Sequence, residues 1–260
     1  IKDIPSRIEK ATNGRVKITL NDSLVGATQL APAVRDGRVD MASVLHPYLS
    51  GQEPRMGLSN LPGLINTAAD YKFLIDGFYG KDLEEIWKTK WNGTVLAEGL
   101  WSNQLVWSKK PLNKVEDFEG MKIRVHNRET ALLMSAIGAK PTPMAAVEVM
   151  AGLQRGVIDG LTTSACYGFH QEFWRIAKHV YNWRIAPYTG WAVLVNNDVW
   201  AKIPADLQAQ IRGAMAEMQA DKFRTYYAQT RECVSGLQAK GVKFEVADDA
   251  EIARLFVPKN

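Results

Sequence analysis

The chain has 260 residues, 46% of them hydrophobic and 23% charged, with 32 Lys and Arg against 28 Asp and Glu for a formal net charge of +4. That is the composition of a globular protein, long enough for one large domain or for two smaller lobes with separate cores. The basic residues are interspersed with acidic ones rather than gathered in a stripe, which argues against a nucleic-acid partner, and no apolar run nears the roughly 20 residues that cross a bilayer.

Pro5-Ser6-Arg7-Ile8-Glu9-Lys10 reads as an amphipathic helix at the very start of the sequence. No leader precedes it, which says little about export, and a first strand is expected to be missing. Val16-Lys17-Ile18-Thr19-Leu20 alternates apolar and polar residues and predicts a strand. A helix follows from about Ala27 to Asp36, closed by Gly37, and Val39 to Val44 reads as the next strand, completing a β-α-β unit of the kind that builds a parallel sheet. Trp107 to Leu112 reads as a strand leaving one lobe, and Asp117-Phe118-Glu119-Gly120 punctuates entry into the second.

The same grammar then recurs. Lys122-Ile123-Arg124-Val125 predicts a short strand, Glu129 to Ile137 a helix ended by Gly138, Ala145 to Arg155 a second helix ended by Gly156, and Val157-Ile158-Asp159 the opening of another strand. Val34-Arg35-Asp36-Gly37-Arg38-Val39-Asp40 matches Leu153-Gln154-Arg155-Gly156-Val157-Ile158-Asp159 in its apolar, Gly, apolar and Asp positions, which suggests two lobes of similar construction. Trp191 to Asn196 predicts a strand. A long helix begins near Ile203-Pro204-Ala205-Asp206 and carries Leu207, Ile211, Met215, Met218 and Phe223 at helical spacing. Gly241 ends that region, and Val242 to Val246 is a last strand before a short tail.

Signatures of catalysis are missing. The sequence has no phosphate loop, dinucleotide fingerprint, paired-His zinc motif or nucleophile elbow, and His46, His126, His170 and His179 are dispersed. Cys166 and Cys233 fit no metal spacing. A disulfide is open to them in an oxidising compartment, but two unpaired buried thiols are the expectation. The reading is therefore of a binding protein and not an enzyme.

Phe118-Glu119-Gly120-Met121-Lys122-Ile123-Arg124-Val125 is more specific, as is Ile137-Gly138-Ala139-Lys140-Pro141-Thr142-Pro143-Met144 with Glu148 and then Leu153 to Gly160 after it. In order and spacing these resemble the solute-binding proteins of TRAP transporters, the tripartite ATP-independent periplasmic family. The resemblance extends to Gly37-Arg38-Val39-Asp40 and to the run Asn197 to Pro204, and so covers nearly the whole chain. Relative to the family, the first strand and the extreme C-terminal helix look absent or shortened.

The resemblance implies an α/β, two-lobed, periplasmic-binding-protein-like fold with a ligand cleft between the lobes, crossing hinge strands and a long helix. The expected division puts residues 1–101 with about 190–235 in one lobe, and about 102–189 with the C-terminal segment in the other. It implies a monomeric periplasmic protein that hands a small organic acid to membrane permease subunits. By residue type alone, Arg124 reads equally as a ligand clamp or as half of a structural ion pair. The resemblance assigns it to the ligand's carboxylate, which its planar, always-charged guanidinium suits.

Where some relatives carry a second Arg, this chain has Gln104. Where many carry a polar residue facing the ligand, it has Leu45 followed by His46, and Thr163 takes the place of a ligand-contacting Asn. Trp191, Trp101 and Tyr48 stand at plausible aromatic positions of the site. The acid that some relatives use beside a bound cation has no counterpart at Gly190-Trp191, so neither metal nor other cofactor is expected. Together these departures point to a monocarboxylate with an apolar or aromatic body. The alternatives are a periplasmic sensing module for an organic acid, or a C4-dicarboxylate-binding transport component.

Overall fold

The computed structural model describes residues 2–65, 67–186 and 188–257. In chain order its regular elements are α1 (Ile4–Ala11), α2 (Leu30–Arg35), β1 (Met41–Leu45), α3 (Ala68–Asp76), α4 (Phe78–Lys90), β2 (Gly93–Trp101), β3 (Gln104–Ser108), β4 (Lys122–Val125), α5 (Arg128–Ala136), β5 (Lys140–Pro143), α6 (Val149–Gln154), β6 (Gly160–Ser164), α7 (Ala165–His170), β7 (His179–Ala186), β8 (Thr189–Asn196), α8 (Asn197–Ala201), α9 (Ala205–Ala239), β9 (Lys243–Val246) and α10 (Asp249–Arg254). The chain divides into two compact units. One comprises Ile1–His46, Lys72–Leu100 and Gly190–Thr225; the other comprises Pro47–Tyr71, Trp101–Thr189 and Tyr226–Asn260. The segment Pro47–Tyr71 thus goes with the second unit.

The first unit is built on a three-stranded sheet of order β1-β8-β2. β8 lies between the other two strands and is buried along its whole length, which its nearly continuous apolar sequence allows. β1 runs antiparallel to it, with Leu45 opposite Trp191. Ile4 and Ile8 of α1 and Ile211, Met215 and Met218 of α9 pack on this sheet with Leu96, Val193 and Val195. The strand expected at Val16 to Leu20 does not form. Val16 and Ile18 still turn their side chains onto the core, as the alternation requires, but no neighbouring strand completes a ladder there among the described residues. The expected parallel β-α-β unit is therefore absent here, and β1 enters an antiparallel pairing instead.

The second unit carries a six-stranded mixed sheet of order β5-β4-β6-β3-β7-β9. β4 is parallel to both β5 and β6, so the β-α-β grammar read in this half is realised. Alternation along β3 splits the core. Val106 faces a cluster with Ile123, Val125, Met134 and Trp183, while Leu105 and Trp107 face one with Val149, Leu153 and Leu161. Helices α5 and α6 end as predicted, at Gly138 with φ 91° and Gly156 with φ 69°, a conformation only glycine adopts freely. Gly37, at the matching place in the first unit, has φ 68°. The sequence repeat is thus a true repeat of helix-ending geometry.

The strand expected to open at Val157 begins three residues later, at Gly160. Val157 and Ile158 both donate to the carbonyl of Gly152 and finish the helix turn, while Asp159 accepts the backbone N–H of Lys122. α9 is one continuous helix of 35 residues, about 52 Å long at 1.5 Å per residue, and the boundary between the units falls within it.

The expectation of two free thiols is corrected. Cys166 at the start of α7 and Cys233 late in α9 form a disulfide, their Cα atoms 5.0 Å apart across 67 residues of sequence. That separation hid the pairing, because nothing local signals which helices meet. Closing a loop of that size stabilises the folded state by about 4 kcal/mol through the unfolded chain's lost freedom. Reduction, or the double change Cys166→Ser with Cys233→Ser, is expected to lower the urea midpoint accordingly. An unchanged midpoint in both would count against the bridge.

Candidate functional site

Arg124 lies on β4, flanked in register by Thr142 of β5 and Leu161 of β6. Its side chain is only 3% exposed. Nε donates to the carbonyl of Met144 at 2.9 Å, and one terminal nitrogen, Nη1, donates to the carbonyl of Thr162 at 3.0 Å. The phenols of Tyr48 and Tyr167 both lie close enough to interact with the guanidinium electrostatically. Burial pulls the guanidinium below its ordinary pKa, and the two phenols oppose that shift. Burial likewise pushes both tyrosines up, with the arginine's charge opposing it.

No carboxylate of the described residues pairs with Arg124, and among the buried described residues it is the sole Lys or Arg. Backbone carbonyls fix its orientation but contribute no counter-charge. A buried cation in that state lacks the compensation that desolvation demands.

The other expected site residues fall into two groups. Tyr48, Gln104, Thr163 and Trp101 belong to the second unit with Arg124. Gln104 is buried, and its amide nitrogen donates to the carbonyl of Ser102. Thr163 is buried on β6 opposite Leu105, and its backbone carbonyl accepts the indole N–H of Trp107. Trp101 is 37% exposed at the end of β2.

Leu45, His46 and Trp191 belong to the first unit. Trp191 fills the space beside Gly99, where a Cβ would stand 2.2 Å from its ring. His46 is fully buried, with Nε2 3.1 Å from the Glu98 carboxylate and its ring 5.9 Å from that of Trp87. Burial raises the Glu98 carboxyl, and His46 pulls against that shift. His46 is thereby engaged within its own unit.

Two neighbours of Arg124 were missed in the sequence. Tyr167 sits in the first turn of α7, whose N-terminus is capped by Ser164 Oγ accepting the Tyr167 N–H. Nothing periodic in the sequence connects it to β4. His126 stands two residues beyond Arg124, just past the end of β4. Its pKa is depressed to about 3 by burial first and by the Arg124 charge second.

Comparison with known proteins fits this geometry. Residues 2–256 match bacterial extracellular solute-binding protein family 7, so the chain belongs to that family. It is the family of TRAP transport solute-binding proteins. A C4-dicarboxylate-binding periplasmic protein of Rhodobacter capsulatus is 31% identical over 80% of this chain and 63% of its own length. A monocarboxylate 2-oxoacid-binding periplasmic protein of a Nostoc species is 27% identical over 92% of this chain and 67% of its own. A Bordetella pertussis extracytoplasmic solute receptor binding pyroglutamic acid superposes with a TM-score of 0.92 at 22% identity, covering 98% of this chain and 85% of that one. No helix among the described residues is long and apolar enough to cross a membrane, and no three His, Cys, Asp or Glu among them gather as metal ligands.

The depressed His126 has a consequence for stability. The unfolded chain takes up a proton near pH 6.5 that the folded protein refuses until about 3. Stability from this group is therefore complete above about 6.5 and is lost as pH falls towards 3. Urea denaturation between pH 6.5 and 4.5 should show wild type losing stability more steeply than His126→Gln, by up to about 1.4 kcal/mol per pH unit. Parallel slopes would mean that His126 is accessible to protons.

Proposed function

We propose that the chain is the periplasmic capture component of a TRAP-type transporter, that it binds a small monocarboxylic acid through Arg124, and that it passes the acid unchanged to membrane permease subunits as a monomer. The observation that carries this reading is the buried, oriented guanidinium with no carboxylate partner among the described residues. A structural ion pair, the other role open to such an arginine, needs an acid that none of them provides. Relatives and structural neighbours that bind a 2-oxoacid, pyroglutamic acid and a C4-dicarboxylate support organic acids as the ligand class.

The choice of a monocarboxylate follows from charge. One buried cation balances one carboxylate, and a second carboxylate would be desolvated with no counter-charge among the buried described residues. Gln104, Thr163 and Tyr48 offer neutral polar contacts instead. The R. capsulatus relative keeps the dicarboxylate reading as the competing outcome.

Calorimetry tests the clamp. Arg124→Ala should weaken the preferred acid ten-fold or more, since a charge-assisted bond contributes about 1.5–3 kcal/mol. Arg124→Lys, which keeps the charge but loses the planar fork, should fall between it and wild type. Unchanged affinity in Arg124→Ala sinks the proposed role. A thermal-shift screen tests the ligand class, because a ligand raises the melting temperature by mass action. Aliphatic and aromatic monocarboxylates are expected to stabilise the protein, and stabilisation by C4-dicarboxylates alone would overturn that choice.

A further inference from the structure

The six-residue helix α7 is too short to keep its shape by its own backbone bonds, since helices below about 12–15 residues are marginal in isolation. It is braced from outside, by groups of its own unit. Ser164 Oγ accepts the N–H of Tyr167 at its start. Gly168 rests on the Trp107 ring of β3, where a Cβ would stand 2.1 Å from the indole. The Phe169 ring lies over Gly236 of α9, 2.9 Å from where a Cβ would be. The Cys166–Cys233 bond then ties the first turn of α7 covalently to the same stretch of α9.

What α7 is attached to gives this bracing a second role. β6 ends at Ser164 and α7 begins at Ala165, so the strand passes into the helix with no loop between. The carbonyl of Thr162, on β6, accepts Nη1 of Arg124 at 3.0 Å. The next carbonyl along, that of Thr163, accepts the indole N–H of Trp107, the ring on which Gly168 rests. A short run of backbone, from Thr162 to Cys166, therefore joins the disulfide to a hydrogen bond on the guanidinium. We propose that the Cys166–Cys233 bridge is a positioning device for the ligand site: it pins α7 to α9, and thereby fixes the end of β6 and the Thr162 carbonyl that aims Arg124 at the acid. This rests on the reading of Arg124 as the carboxylate clamp, and it adds what holds the clamp in place.

The energetic argument concerns order. A guanidinium meets a carboxylate through a planar fork, and such a site has to be held within about 0.5 Å by its supporting hydrogen bonds. With the bridge intact that order exists before the acid arrives. Without it α7 frays locally while the rest of the unit stays folded, and the acid has to restore the order at the expense of its own affinity. A chain whose thiols are still reduced is thereby a weak binder.

Calorimetry tests this with 2-oxopentanoate, pyroglutamate and benzoate as probes, under conditions where circular dichroism shows every variant folded. Against oxidised wild type, the double change Cys166→Ser with Cys233→Ser should weaken the tightest of the three probes at least about three-fold. In an Arg124→Ala background the same double change should cost nothing further, because the bridge acts through that arginine. Dithiothreitol passes two electrons to the S–S bond, leaving two thiols and closing to its own cyclic disulfide; wild type treated in this way should show the same loss, and reoxidation should reverse it. Ile8→Ala, a cavity in the core of the first unit, should lower the urea midpoint and leave affinity alone. Without any ligand, amide exchange across residues 160–164 should quicken on reduction.

Equal affinity with and without the bridge overturns the proposal. So does a loss that persists in the Arg124→Ala background, an equal loss in Ile8→Ala, or unchanged exchange in β6. Ser164→Ala keeps the bridge and loosens the same end of α7, so a chain that cannot fold without its disulfide is still tested: it should lose affinity in the same Arg124-dependent way, and wild-type affinity there overturns the proposal as well. The clamp itself fails separately. Wild-type affinity in Arg124→Ala, or no binding of any probe by wild type, removes the reading beneath, whereas a loss in Arg124→Ala with none on removing the bridge removes only the positioning role.

Discussion

A guanidinium shut away from water is the constraint that organises the second unit. Arg124 cannot lose its charge, so its surroundings have to accommodate it. The strand order β5-β4-β6 does this by placing β4 between two parallel neighbours. The chain leaving β5 offers the carbonyl of Met144, and β6 offers that of Thr162, so the side chain is held by the ends of the strands that flank it. Neither bond depends on side-chain identity at those positions. The arginine's direction is thus a property of the backbone, while its charge is left for some other group to balance.

The polar side chains around the site are economical in a different way. Gln104 directs its amide nitrogen to the Ser102 carbonyl, and Asn127 divides its amide between a helix cap and an imidazole. In the first unit, His46 lies against Glu98 and Trp191 against Gly99. Much of the polarity and aromatic surface that a sequence reading would assign to a ligand is therefore committed to holding the protein's own elements. Arg124 stands apart in lacking a counter-charge among the described residues.

The parts of the fold legible in the sequence were those with local chemistry. Gly138 and Gly156 marked helix ends because a left-handed residue is needed there, and the Arg124 strand followed from its motif. The segment Val16 to Leu20 shows the limit: its alternation correctly turned Val16 and Ile18 inward, yet a strand also requires a neighbour, which no local pattern reports. α3, α4, β2 and β7 were not anticipated, and α10 lies in what read as a short tail. For the site, Arg124 was accessible to a motif reading, and Tyr48 was read only as one of several aromatic candidates. Tyr167 was not, because its place beside Arg124 is set by β6 and the Ser164 cap, elements remote from β4 in sequence. His126, just past the end of β4, was overlooked as one of four scattered histidines.

The Cys166–Cys233 bridge also changes what a cut in the chain can do. Its covalent ring contains β7, β8, α8 and most of α9, including the whole Gly190–Thr225 contribution to the first unit. A protease that nicks any single bond between Tyr167 and Glu232 leaves two fragments still tied through sulfur. The chain would keep its full mass until a reductant parted the pieces, so damage in that stretch stays silent in an oxidising compartment and becomes visible only after reduction.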